Sequence, residues 1–464
     1  MTKYALSSTA KLVFVVIGLL ITVFMGAFVA LFASTVGEHY GILLAVPAAM
    51  IIGLLFIFER YTLIFLIILF RSALDPIFDT TRLGSIGLGA ILNALVILIA
   101  LIELIKYPHP ARKVLSQTWL PFLIISALTI VIAPEFITAL KSYLVILSYA
   151  AVFTIAITLI KTEEDFGRWM RAIFMSSIIP VLYAFIDISQ GGYNTQGSEG
   201  FRINSTFSHP NVFAFYLVLM VSLCFYFYKT KAGYIPHFIR RTLPLYILIM
   251  LGLLMLTKTR SAWASCFVFF VMYAVYFERK YLIYILLGGI LGLLVPDIRE
   301  RITDLGQGNE VINYSKLNSY AWRKLIWESG IKFMSFSHYF LGYGLEAFKH
   351  YSVDFFAMAG GVQRGAHSVY VQLFFDTGFF GVLAFIWANI KTASLLTQFY
   401  KQNKLLIFSS VMFLLEFALN AYSDNMLSYL SFNWYLWFVL GLVFAFYQQK
   451  RNALLQDESN LKPV

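Results

Sequence analysis

The feature that most constrains this chain is the recurrence of apolar stretches close to 20 residues long. Candidates run at about 11–33, 41–58, 61–72, 84–105, 119–134, 139–160, 170–189, 211–228, 243–257, 261–277, 281–296, 367–390, 405–422 and 431–449. A helix needs about 20 apolar residues to cross the hydrocarbon core of a bilayer. The chain is 60% hydrophobic and only 13% charged, where soluble domains carry roughly 25% charge. No soluble core can hide that much apolar surface. The expected fold is an all-α polytopic membrane protein with about 12–14 transmembrane helices, and 1–464 is read as a single integral membrane domain. The stretch at 61–72 is the shortest. No A-x-A-like site follows the first apolar stretch, so it is read as a helix that stays.

Charge supplies the topology. With a cytoplasmic N-terminus, 21 of the 35 Lys and Arg fall on the cytoplasmic side, as the positive-inside rule requires. Of the remaining 14, eight lie in one long polar interruption, 297–366. Loops of that length escape the rule. This segment is therefore expected to be a long extracytoplasmic loop, and 190–210 a shorter one. The net charge of +11 is spread over short loops between spans. It is explained by membrane topology, and nucleic acid is not expected as a partner. Cys224 and Cys266 both lie inside apolar stretches, which leaves no CxxC and no metal spacing.

The polar chemistry gathers on the outer side. Arg260 sits in a tight turn, Lys258-Thr259-Arg260, between two spans. A rim arginine can rest on lipid phosphate, or it can clamp a lipid-borne phosphate through bidentate hydrogen bonds. In the shorter loop, Arg202 precedes Ser208-His209-Pro210-Asn211. There Pro210 is expected to open a helix with Ser208 or His209 at its cap, a ready anion site. Residues 318–334 read as an amphipathic helix, with Trp322, Leu325, Ile326, Ser329 and Phe333 on one face and Arg323 and Trp327 on an adjoining one. Arg364 precedes Gly365-Ala366-His367, and His367 is expected on the first turn of the next span, beside Arg260 and Arg364. It is either a capping, interfacial histidine or a titratable group at a membrane surface. Small residues in Asp376-Thr-Gly378-Phe-Phe-Gly381 suggest close helix packing. Asp75 and Asp79 are four apart, a weak metal pair better read as solvated or capping. No metal site and no cofactor is expected.

Four motifs now stand in order: Arg202…Thr206-Phe207…Pro210-Asn211…Phe213-Ala214; Thr259-Arg260-Ser261-Ala-Trp263; Arg323…Trp327…Gly342-Tyr-Gly344…Phe348; and Ala366-His367-Ser368-Val-Tyr370…Gly378-Phe-Phe-Gly381. Together they resemble the O-antigen ligase and surface polysaccharide polymerase family over roughly 200–390. One position departs: Ser368 stands where an asparagine commonly follows the histidine. The resemblance implies a C-type glycosyltransferase-like architecture in the cytoplasmic (inner) membrane, with its active face periplasmic. It implies a metal-independent, inverting transfer from an undecaprenyl-pyrophosphate-linked saccharide donor. The acceptor would be another lipid-linked saccharide or lipid A-core, with membrane lipid and a chain-length regulator as further partners. His367 and Arg260 would be catalytic. Arg202, Arg323, Arg364 and Asn211 would bind the diphosphate or substrate. Without a metal, arginines must meet the charge of the leaving diphosphate.

Repeat-unit polymerisation is the favoured reading, with ligation to lipid A-core as its alternative. A lipid-linked oligosaccharide flippase is the alternative from another class. Such transporters carry internal repeats and charges near the bilayer midplane, whereas these spans read as nearly free of charge.

Overall fold

The structure is a computed structural model that describes residues 51–80, 82–83, 86–106, 110–194, 201–294, 296–303 and 319–460. The apolar stretch at 11–33 and most of 41–58 lie outside the described residues. Every later stretch becomes a helix. Among the described residues, eight helices are long and apolar enough to cross a membrane, or nine if the bent pair Ala111–Gln117 and Leu120–Ile130 counts as one span. Three shorter apolar helices, Arg60–Phe70, Arg260–Tyr276 and Tyr281–Leu293, match the remaining candidates. The strands are two-residue antiparallel ribbons, one of them pairing Tyr193–Asn194 with Phe201–Arg202.

The helices that frame the core and the site are α1 (Leu88–Lys106), α2 (Phe136–Leu159), α3 (Pro210–Thr230), α4 (His237–Leu256), α5 (Arg260–Tyr276), α6 (Ser319–Phe333), α7 (Ala347–Phe355), α8 (Val369–Thr397), α9 (Lys404–Ser423) and α10 (Leu430–Asn460). Two of them are central. The apolar window of α3 is 89% buried and that of α10 is 94% buried, against 28% for α4. A helix that is apolar all round either sits inside a bundle or faces lipid; α3 and α10 take the first course and α4 the second. α10 packs most extensively on α2. Gly441 makes that approach possible: a Cβ there would lie 2.6 Å from the Phe153 carbonyl oxygen and 2.7 Å from the Ala156 Cβ. Small residues at a crossing let membrane helices close up and gain dispersion contacts. Trp119 and Trp437 seal the same region, ring centroids 4.5 Å apart.

The described part of the long polar interruption from residue 319 on folds as a cap with its own small core. Ile326 and Trp327 of α6, Ala347 and Phe348 of α7, and Ala366 and Phe375 form it. The expected amphipathic helix at 318–334 is α6, and it buries Ala321, Ile326, Trp327 and Gly330. The cap is riveted to α8 where that helix breaks. Gly378 has φ +68 and ψ −169 inside α8, and a Cβ on it would lie 2.2 Å from the Phe340 carbonyl carbon. The turn segment 339–344 fills this gap: Tyr343 N–H donates to the Phe375 carbonyl at 2.9 Å and Phe379 N–H to the Tyr339 carbonyl at 2.7 Å. The buried Asp376 carboxylate accepts from Glu346 N–H, Phe348 N–H and Gln372 Nε2. The small residues here thus open a helix break for backbone docking, beyond the helix packing that their pattern suggests.

Two expectations from charge need correction. The spans are not nearly free of charged residue types: Glu103 in α1, Asp376 in α8 and Glu416 in α9 are all buried. Asp75 is neither solvated nor set up for a metal, because Arg71 pairs with it at 2.6 Å in a fully buried contact. The Asp79 side chain lies outside the described residues.

Candidate functional site

The site is built where the start of α3, the α4–α5 turn, α6, the segment before α8 and the α9–α10 link come together. His209 is the N-cap of α3, its Nδ1 accepting from Asn211 N–H at 3.1 Å, and Pro210 is the first helical residue. Proline fits there because its missing N–H would have had no partner. Asn211 therefore sits on the first turn with its amide facing the other elements. Its Oδ1 accepts from Arg202 Nη2 at 2.7 Å and from Thr259 Oγ1 at 3.2 Å. Its Nδ2 donates to Asp424 Oδ2 at 2.8 Å.

Arg202 is 5% exposed. Its Nε donates to the Thr257 carbonyl at 2.8 Å and its Nη2 also reaches Thr259 Oγ1 at 3.1 Å. Lys258 takes the left-handed conformation at φ +51, which closes the α4–α5 turn in three residues. Arg202 stitches that turn from inside, and Ile203 N–H adds a bond to the Leu256 carbonyl at 3.3 Å. Arg260 is then the first residue of α5 rather than part of the turn. It is half-buried, and its Nη2 donates to Ser319 Oγ at 3.0 Å on the first turn of α6.

His367 is not on the first turn of a span. Ser368 is the N-cap of α8, its Oγ accepting from Val371 N–H at 3.4 Å, and Val369 is the first helical residue. Serine and asparagine are equally good N-caps, so the departure at Ser368 keeps the cap chemistry. His367 itself has φ +49, a sparsely populated conformation that persists only where its surroundings impose it. The surroundings here are explicit. Trp327 Nε1 donates to the Ala366 carbonyl at 2.6 Å, and Ala366 N–H donates to Gln372 Oε1 at 3.0 Å. The peptide before the histidine is pinned on both sides. Trp322 meets the imidazole edge-on, centroids 5.6 Å apart.

The ring remains reachable from solvent, yet protein atoms crowd it. That crowding is the main reason its pKa lies below the ordinary imidazole value; Asp424 pulls it up, and Arg323 and Arg364 push it further down. The arginines acting on the ring are thus Arg323 and Arg364, while Arg260, expected beside it, is tied to Ser319. The side chains of Arg323 and Arg364 hold no ion pair or hydrogen bond among the described residues.

Asp424 is the residue that reading for basic motifs passes over. It lies just past α9, 2% exposed, between Asn211 and Tyr429. The Tyr429 hydroxyl donates to its Oδ1 at 2.6 Å, and burial, with Asp424 adding to it, holds that phenol well above its ordinary pKa. The available signal was an acid in a short outer link on a face otherwise rich in arginine. His367 thus faces a buried carboxylate on one side and arginines on the other. Such a site can hold a neutral imidazole, stabilise it once protonated, and bind an anion beside it.

Residues 245–386 match the family described as O-antigen ligase. The match spans α5, the cap, His367 and the break in α8. No curated protein matches the chain. The match supports a part in surface polysaccharide assembly, and the apolar helices define a multi-pass membrane protein.

Proposed function

We propose that the protein is a metal-independent, inverting glycosyltransferase of the inner membrane. It transfers saccharide from an undecaprenyl-pyrophosphate donor, on the extracytoplasmic face, to extend another lipid-linked repeat unit. The observation that carries this reading is His367, held neutral between Asp424 and the arginines of the cap. The acceptor hydroxyl attacks the anomeric carbon from the side opposite the diphosphate, which inverts that centre. The new C–O bond forms as the bond to diphosphate breaks, and the electron pair leaves with the diphosphate. The hydroxyl proton passes to His367, and Asp424 stabilises the imidazolium. Arg260, Arg323 and Arg364 meet the charge that develops on the leaving group, the kind of preorganised electrostatics that is worth most to a transition state. Arg202 and Asn211 act as positioning residues, because their polar groups are engaged by the α4–α5 turn and Asp424.

The description of the matched family supports a second reading, ligation to lipid A-core. Purified protein in lipid nanodiscs, given lipid-linked repeat units alone or with lipid A-core, separates the two. Lengthening of the lipid-linked chain supports polymerisation, and product on lipid A-core supports ligation. Absence of both products sinks the transferase reading, and loss of transfer with excess chelator sinks its metal independence.

A further inference from the structure

A second cavity lies behind the wall that carries His367. It is half-open and holds about 230 Å³, bordered by α2, by Leu345 and Glu346 at the start of α7, by the first turns of α8 and by the α9–α10 link. Gly365 and Asn425 form the shared wall: a Cβ on Gly365 would lie 2.8 Å from Asn425 Nδ2. Gln372 spans it, with Oε1 on Ala366 N–H and Nε2 on Asp376. Asp424 and Asn425 are neighbours with different surroundings: Asp424 is bonded to Asn211, and Asn425 lines this cavity.

Its chemistry differs from that of the cleft. None of its described lining residues is basic, and it carries the carboxylates of Glu346 and Asp376, so it repels a phosphate. It is also a poor cation site, because Asp376 already accepts three N–H donors. What remains suits hydroxyl groups. Glu346 is held at φ +64, a strained conformation for a residue other than glycine. Ser142 Oγ donates to its Oε1 at 2.7 Å, which leaves its other carboxylate oxygen to accept from a ligand. The Oδ1 of Asn425 is buried without a hydrogen-bond partner among the described residues, a condition that an arriving donor relieves. Ser428 adds an exposed hydroxyl, and Val369, Leu373 and Leu427 offer an apolar wall. The volume falls below the roughly 300–1,000 Å³ of drug-sized ligand sites, so it suits a single sugar ring rather than a chain.

We propose that this cavity is an acceptor-saccharide subsite that holds a non-reacting ring of the acceptor chain, through hydrogen bonds to Glu346, Asn425 and Ser428 on the far side of the Gly365–Asn425 wall, while a neighbouring ring presents its hydroxyl to His367. The assignment rests on the transferase reading above. It divides the labour by charge: the arginines take the donor's diphosphate, and the neutral-to-acidic cavity takes a saccharide ring of the acceptor.

The test uses full-length protein in nanodiscs and, as probe, free oligosaccharide released by acid from the cell's own lipid-linked repeat units. Glu346→Gln and Asn425→Leu are each expected to raise the acceptor KM about tenfold, as one lost hydrogen bond to a charged or buried group does, with donor binding unchanged. Because Asn425→Leu can fail to fold, a second measurement avoids that variant. Ser428→Cys, in a background with Cys224 and Cys266 replaced by Ala, should react with maleimide several-fold more slowly when the oligosaccharide is present. Gln402→Cys in the same background should not be slowed. Normal transfer, an unchanged acceptor KM and no slowing of the Ser428→Cys reaction together overturn the subsite and leave the transferase standing. Slowing of that reaction in a protein that transfers to no acceptor overturns both the acceptor assignment and the transferase reading, leaving a saccharide site of another kind.

Discussion

Arg202 and Arg260 stand on two sides of one short turn and do different work. Arg202 lies on the closed side: 5% exposed, with bonds to Thr257, Thr259 and Asn211, and through Asn211 to Asp424. Arg260 lies on the open side with Arg323, Arg364 and His367, all half-buried or exposed. An arginine whose donors are already engaged by its own protein shapes the backbone. One that faces a cleft can meet a ligand. Residue type does not separate the two roles; burial does.

The sharpest way to break this contrast is at His367. His367→Gln should lower transfer about 10²–10⁴-fold, the usual worth of a positioned base, without changing thermal unfolding. Normal transfer by that variant and by His367→Asn would remove the ring from the mechanism. Arg260→Lys comes next. Lysine cannot keep a bidentate contact, and losing one preorganised donor lowers kcat about 10²–10³-fold, again with normal unfolding. Full activity would make Arg260 a rim charge.

Arg202→Ala should behave in the opposite way. It removes hydrogen bonds to a buried charged group, worth about 1.5–3 kcal/mol each. The unfolding temperature in detergent should therefore drop for Arg202→Ala and hold for Arg260→Lys. Equal unfolding of the two variants would erase the distinction between the sides.

The smallest effect is on pH. A base works only when neutral, and crowding and arginine charge hold the His367 pKa down. Activity should be retained above that lowered value and lost as pH falls through it. The acid limb of kcat/KM should lie below the ordinary imidazole value of about 6.5. Asp424 raises this pKa, so Asp424→Asn should move the limb to still lower pH in whatever protein folds. A limb that moves upward would show that Asp424 does not act on the ring.

Much of this was legible in the chain. The helices from residue 60 onward follow the apolar stretches closely, because in a bilayer only a segment with its backbone hydrogen bonds satisfied internally can span. The cap helix α6 and the His209–Pro210 start of α3 were legible for a similar reason, since period and capping are local properties. The positions of His367 and the arginines could be picked out as polar residues at the ends of apolar runs. The contribution of Asp424 could not. It is 213 residues from Asn211, and only packing brings the two together.

The sequence by itself determined that this is a helical membrane protein, where the helices lie and which basic residues stand at one rim. Hydrophobic transfer and helix periodicity act over tens of residues and leave their mark in order along the chain. Only the tertiary structure decided that Arg202 is enclosed while Arg260 is left half-buried, that Gly378 breaks α8 to dock the cap, and that Asn211 meets Asp424. Each of these depends on which groups are left without partners once distant segments pack, and hydrogen-bond saturation is a property of neighbours in space rather than neighbours in sequence.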